Sequence, residues 1–175
     1  MDDGVFWSVR ALAEDYLDGI LRTPRPGTAP SRTSQALQNV AASVQGEVEG
    51  ALKPHLDSLD VGSVGAARGI FSHVLAKEFE DGVVNWGRVV TVFVLGGILT
   101  KKLQGSGVPL TRETREEISS FIAEFTTHHA GEWIRQNGGW ENGFLNKFEQ
   151  KTVWSVLADL STKILGVLSH LKQFY

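Results

Sequence analysis

Apolar residues along most of the chain recur at steps of three and four, and no segment alternates cleanly with period two, so the sequence predicts an all-α protein. From Val5 to Leu21, the positions Val9, Leu12, Tyr16, Leu17, Ile20 and Leu21 share one helical face, while Arg10, Glu14, Asp15 and Asp18 share the other. Pro24, Pro26 and Pro30 stop this helix and favour an extended linker. A second helix is expected to begin near Thr33 or Ser34 and to end before Pro54, carrying Leu37, Val40, Val44, Val48 and Leu52 on its apolar face. The glycine-rich stretch Asp60 to Gly69 reads as irregular. A helix from about Ala67 to Glu80 then turns Ile70, Phe71, Val74, Leu75 and Phe79 inward and stops at Asp81-Gly82.

The next helix, Trp86 to Leu103, is capped by Asn85 and apolar nearly all round from Val89 to Leu99, which places it at the centre of the fold. That apolar run is about half of the roughly 20 residues a bilayer crossing needs. Gly96-Gly97 in its middle costs on the order of 1 kcal/mol per glycine in helix propensity, so neighbouring helices are expected to approach closely there. Beyond the turn Gln104 to Pro109, a helix starts at Thr111 or Thr114, where Thr114-Arg115-Glu116-Glu117 fits a capping box, and presents Ile118, Phe121, Ile122 and Phe125. Two short helices follow, Glu132 to Gln136 and Trp140 to Phe148, split by Asn137-Gly138-Gly139. Last comes Lys151 to Leu171, apolar at Val153, Trp154, Leu157, Leu160, Ile164 and Leu168 but carrying Asp159 and Lys163. It is expected to be an amphipathic helix that docks on the bundle, fills a groove or lies on a membrane. Residues 1–150 thus form one helical bundle and 151–175 an appended helix.

Composition narrows the chemistry. A chain of 175 residues suits one domain, and its formal charge of -3 with mixed signs argues against a dedicated nucleic-acid binder. The absence of cysteine excludes zinc ribbons and cysteine nucleophiles. Met1-Asp2-Asp3 is acidic, and no uninterrupted apolar segment follows of the kind a secretory signal requires. No HExxH, Walker A loop, GxGxxG, GxSxG or EF-hand loop occurs. His128-His129 is an adjacent pair of candidate ligands, but neighbours on a helix point about 100° apart. No catalytic residue, metal site or cofactor is expected, and the chain is read as a binding protein and not an enzyme.

Two motifs carry a resemblance. Asn85-Trp86-Gly87-Arg88 at the mouth of the central helix, and Trp133-Ile134-Arg135-Gln136-Asn137-Gly138-Gly139-Trp140 downstream, resemble the first and second homology motifs of the Bcl-2 family of apoptosis regulators. Leu37 to Glu49 occupies the place of that family's third motif. The wording is most similar to the small prosurvival Bfl subgroup, through Gly131 to Phe144, Phe79 to Gly82 and the closing Leu171 to Tyr175. The resemblance implies a bundle of amphipathic helices around a central apolar one, with a surface groove that receives the BH3 helix of a proapoptotic partner. Such a ligand presents apolar anchors along one face and one aspartate.

By the same resemblance Arg88 pairs with the ligand aspartate, since a guanidinium stays charged and holds a carboxylate through two parallel hydrogen bonds. Asn85 adds a hydrogen bond beside it, or serves only as the helix cap. Gly87 lets the ligand backbone come close, or is a tolerated residue of the first turn. Val44, Val48 and Leu52, Val74 and Leu75, and Thr91 and Leu95 are expected to form the apolar wall, and the same spacing fits plain core packing equally well. Glu78 and Asp81 are expected at the rim, facing a partner's basic residues. Trp133 and Trp140 are assigned to packing.

Two departures bear on function. Leu95 stands where many relatives have phenylalanine, so the pocket there differs in shape. Ala41-Ala42 replaces the usual glycine-aspartate pair of the third motif, which makes the segment a poor ligand for another protein's groove. The expected function is therefore anti-apoptotic: sequestering BH3 helices and blocking permeabilisation of the mitochondrial outer membrane. The expected location is the cytoplasm, with peripheral association to that membrane through the C-terminal helix. The alternative is a membrane-active proapoptotic effector of the same fold, and the loss of the third-motif aspartate weighs against it.

Overall fold

A computed structural model of the chain describes residues 3–23 and 30–148, and the expectations for Lys151 to Leu171 lie outside the described residues. Among the described residues every regular element is helical: α1 (Asp3–Leu21), α2 (Arg32–Leu56), α3 (Val64–Glu78), α4 (Trp86–Gly105), α5 (Arg112–Gln136), a π-helical turn (Gly139–Phe144) and α6 (Leu145–Phe148). The fold is the all-α bundle that the apolar periodicity predicts.

Helix α4 is the hub, packed by α1, α2, α3 and α5, and every residue from Trp86 to Thr100 is buried. An element buried on all sides has no polar face to present, which is why its sequence shows almost none. The glycine pair sits where two neighbours press in. A Cβ at Gly96 would stand 2.6 Å from Ile122 Cδ1 of α5, and one at Gly97 would stand 2.9 Å from the Tyr16 hydroxyl of α1. Thr100 and Thr91 return their hydroxyls to the helix by donating to the Gly96 and Gly87 carbonyls, so burying them leaves no donor unmet.

Four boundaries differ from the sequence expectation, each for a local reason. Ser31 caps α2, not Thr33 or Ser34; its hydroxyl accepts the Ser34 N–H at 3.1 Å, and the Ser34 hydroxyl instead donates to Asp15 across the α1 interface. Helix α2 also runs through Pro54 to Leu56: a proline in the last turn forfeits one backbone hydrogen bond, and both Pro54 and Gly50, one turn before it, are exposed. Helix α3 starts at Val64, inside the stretch read as irregular, with Ser63 accepting the Ala66 N–H. Thr111, one of the two candidate caps, starts α5, which then continues unbroken to Gln136. The run Thr126 to Gly131 does not interrupt it: Thr126 donates to the Ile122 carbonyl, and Gly131 lies against Val5, where α1 packs along α5.

Candidate ligand groove and its buried arginine

Helices α2 and α3 both pack on α4 but make little contact with each other. The apolar wall expected of the groove falls where these two helices meet α4. Val44 and Val48 come from α2, Val74 and Leu75 from α3, and Thr91 and Leu95 from α4, so the structure brings these predicted wall residues onto the three elements that meet there. Leu52 belongs to α2, with its side chain outside the described residues. Val44, Val74, Leu75, Thr91 and Leu95 are at most 1% exposed, and only Val48 is partly so. A ligand helix reaches these side chains only after they are uncovered.

Arg88 is the third residue of α4, in its first turn. Asn85 sets the register: its backbone is extended (φ -147°, ψ 168°) and its Oδ1 accepts the Arg88 N–H at 2.8 Å, capping the helix. The turn between α3 and α4 is tightened by Gly82, at φ 72°, and by Asp81 Oδ1, which accepts the Val83 N–H at 3.0 Å. That turn wraps the arginine. Nη1 and Nη2 donate in parallel to Asp81 Oδ1 and Oδ2 at 2.5 and 2.8 Å, and Nη1 also donates to the carbonyls of Val83 (2.7 Å) and Glu78 (3.1 Å). Glu78 Oε1 stands 3.8 Å from Nε.

Of the two acidic residues expected at the rim, Glu78 lies inside and Asp81 at the surface. The Glu78 side chain is fully buried beside Arg88, because the last turn of α3 points it back toward α4. Asp81, with a side chain 38% exposed, is at the surface, and it too faces Arg88. Sequence spacing offered no signal for this clamp, since the seven positions from Asp81 to Arg88 cross a turn and a helix start and have no common periodicity. Gly87 is buried in the first turn of α4. Nearby, His129 stacks on Phe125 with ring centroids 4.1 Å apart, and partial burial, then the neighbouring His128, hold its pKa below the usual imidazole value.

Trp133 and Trp140 pack as assigned. Their rings lie 5.0 and 5.4 Å from that of Trp86, with Phe144 closing the cluster at 5.6 Å. This aromatic knot fastens the end of α5 to the start of α4, so the two sequence motifs are one packing unit. A separate cleft of about 1280 Å³ runs along α1 between the start of α2 and the end of α5, lined among others by Leu12, Asp15, Ser34, Ile134 and Trp140. It holds none of the predicted site residues.

Comparison with known proteins agrees with this architecture. Residues 37–140 match the family model described as apoptosis regulator proteins, Bcl-2 family. The chain is 54% identical over 175 residues, the full length of both, to Bcl-2-related protein A1 of Bos taurus. It is 37% identical over 76 residues to apoptosis regulator Bcl-2 of Canis lupus familiaris, spanning 43% of this chain and 30% of that one. Among solved structures it is similar to a zebrafish pro-survival protein, NRZ, in complex with a Bad BH3, with a TM-score of 0.64 and 25% identity over 85% of this chain and 97% of that one.

Proposed function

The chain belongs to the Bcl-2 family of apoptosis regulators, and from that premise we propose that it restrains cell death by sequestering the BH3 helices of proapoptotic relatives. The observation that carries this reading is Arg88, a buried cation at the start of α4 beside the meeting apolar faces of α2, α3 and α4, which we read as a closed trough. A helix laid in such a trough buries apolar anchors along its length and needs one carboxylate to meet the cation, the helix-in-groove mode of recognition. The relative in complex with a Bad BH3 supports the same ligand class. The protein acts by occupancy, so blocking permeabilisation of the mitochondrial outer membrane requires no turnover of substrate.

Within the groove Arg88 takes the ligand aspartate. Asn85 positions Arg88 through the cap and stands beside the ligand, and Gly87 leaves room for its backbone. Val44, Val48, Leu52, Val74, Leu75, Thr91 and Leu95 receive the apolar anchors once uncovered. Asp81 holds Arg88 from the surface side and Glu78 from beneath. Residues 151–175 form the amphipathic segment that associates with the groove or with the membrane. The protein resides in the cytoplasm and reaches the mitochondrial outer membrane peripherally through this segment; fractionation with and without it tests the assignment.

Two measurements test the function. Titration of the full chain with a panel of BH3 peptides is expected to give saturable one-to-one binding. In liposomes carrying an effector of the same family, the protein is expected to suppress dye release. Release caused by the protein itself would favour the membrane-active alternative.

A further inference from the structure

The cation that the preceding reading assigns to a ligand carboxylate is already held by a carboxylate of its own chain. Asp81 meets Arg88 through two parallel hydrogen bonds at 2.5 and 2.8 Å, the geometry a ligand aspartate would itself adopt. Glu78 stands on another side of the guanidinium, 3.8 Å from Nε. Among the described residues, two carboxylates thus face the cation that an acidic ligand residue has to reach. Like charges brought together at an interface oppose association.

The two carboxylates differ in their freedom. The Glu78 side chain has no exposure and is enclosed by the bundle, whereas that of Asp81 is 38% exposed and sits on the turn closed by Gly82. Asp81 is therefore the one with solvent to turn into. The Val83 and Glu78 carbonyls also accept from Nη1, so Arg88 has two backbone acceptors besides its carboxylate partner.

Resting on the reading that a BH3 aspartate pairs with Arg88, we infer that Asp81 is an internal competitor for that arginine and a specificity-determining residue of the groove. It fills the anion position before the ligand arrives, and its charge opposes the ligand carboxylate until it yields. The ligand aspartate then contributes only the difference between two carboxylates at one guanidinium. A ligand whose aspartate is poorly placed fails to displace Asp81 and is rejected, so the clamp sharpens selection among BH3 helices that share the same apolar anchors.

Asp81→Asn separates this role from a structural one, because the amide oxygen still accepts the Val83 N–H while the charge is gone. Wild type and variant are each titrated with a BH3 peptide and with the same peptide carrying Asp→Asn, and a thermal melt checks the fold. The aspartate peptide is expected to bind the variant about three- to tenfold more tightly, and the asparagine peptide to change by less than about twofold. If the variant melts early, Asp81→Ser, which also offers an oxygen to Val83, repeats the comparison. Equal weakening of both peptides, or no change in either, overturns the inference. A wild-type protein that binds neither peptide removes the BH3 reading itself, and the inference with it.

Discussion

Replacing Gly143 with alanine should cost the fold about 2 kcal/mol, and the figure follows from what surrounds it. The chain doubles back after α5, and the π-helical turn lies against that helix's own end. A Cβ at position 143 would stand 2.1 Å from the Asn137 carbonyl oxygen and 2.8 Å from Trp86 Cζ2, so one or both must move by up to about 1 Å to reach ordinary contact. Neither yields easily. Asn137 is the C-cap of α5, with its N–H and its side-chain amide both bonded to the Trp133 carbonyl, and Trp86 is enclosed by Trp133, Trp140 and Phe144. Overpacking of this kind costs about 1–3 kcal/mol, and a clash with backbone belongs at the upper end. The entropy that alanine removes from the unfolded chain offsets up to about 1 kcal/mol. At about 2–4 °C per kcal/mol for a chain of this size, the melting temperature should fall by roughly 4–8 °C. Gly69→Ala is the control: exposed in α3 with nothing within 4 Å, it should gain about 1 kcal/mol and melt later. Thermal melts followed by circular dichroism on the full chain decide the matter. A Gly143→Ala variant melting at or above wild type would refute the close packing of this turn on α5.

Two further substitutions probe the core and the site. Asn85→Ala removes the acceptor for the Arg88 N–H and should cost about 1 kcal/mol in urea unfolding, whereas Asn85→Asp, also a good cap, should restore most of it. Tyr16 is buried over Gly97, and its phenol pKa is held well above the ordinary value, first by burial and then by Glu49. Because the folded state holds this proton more tightly than the unfolded one, the resulting stability is complete below about pH 10 and is lost as pH rises above it. Tyr16→Phe should abolish that alkaline loss in a pH series of melts, at a cost of about 1 kcal/mol near neutral pH for the missing hydrogen bond to Gln45.

How much of this was legible in the chain varies with the kind of contact. The burial of α4 was readable from Val89 to Leu99, because an all-round apolar helix has only one place to go. Its cap at Asn85 and the close approach at Gly96-Gly97 followed from local chemistry. What pattern reading missed were cases where tertiary packing overrode local preference. Helix α5 continues through Thr126 to Gly131 because Thr126 bonds within its own helix and Gly131 admits α1, and only the second of these lies beyond local sequence. The site divides along the same line. The expected wall residues lie on helix faces that periodicity predicts, but periodicity cannot tell a groove lining from a core, and their burial leaves that tie to be broken by ligand binding. The pairing of Arg88 with Asp81 and Glu78 depends on how one turn folds back over a helix start, and no spacing rule encodes it.

The central claim is that Arg88 receives the ligand aspartate, and it is tested most directly by a double-mutant cycle read by calorimetric titration. Arg88→Ala should weaken binding of a BH3 peptide by about 2–5 kcal/mol, part of it from leaving Glu78 buried beside a missing cation. The cycle cancels that structural part. With the peptide carrying Asp→Asn, the same substitution should cost much less, giving a coupling between the two side chains of at least about 1.5 kcal/mol. Losses that simply add, with no coupling, would contradict the account and leave Arg88 as a clamp for its own turn.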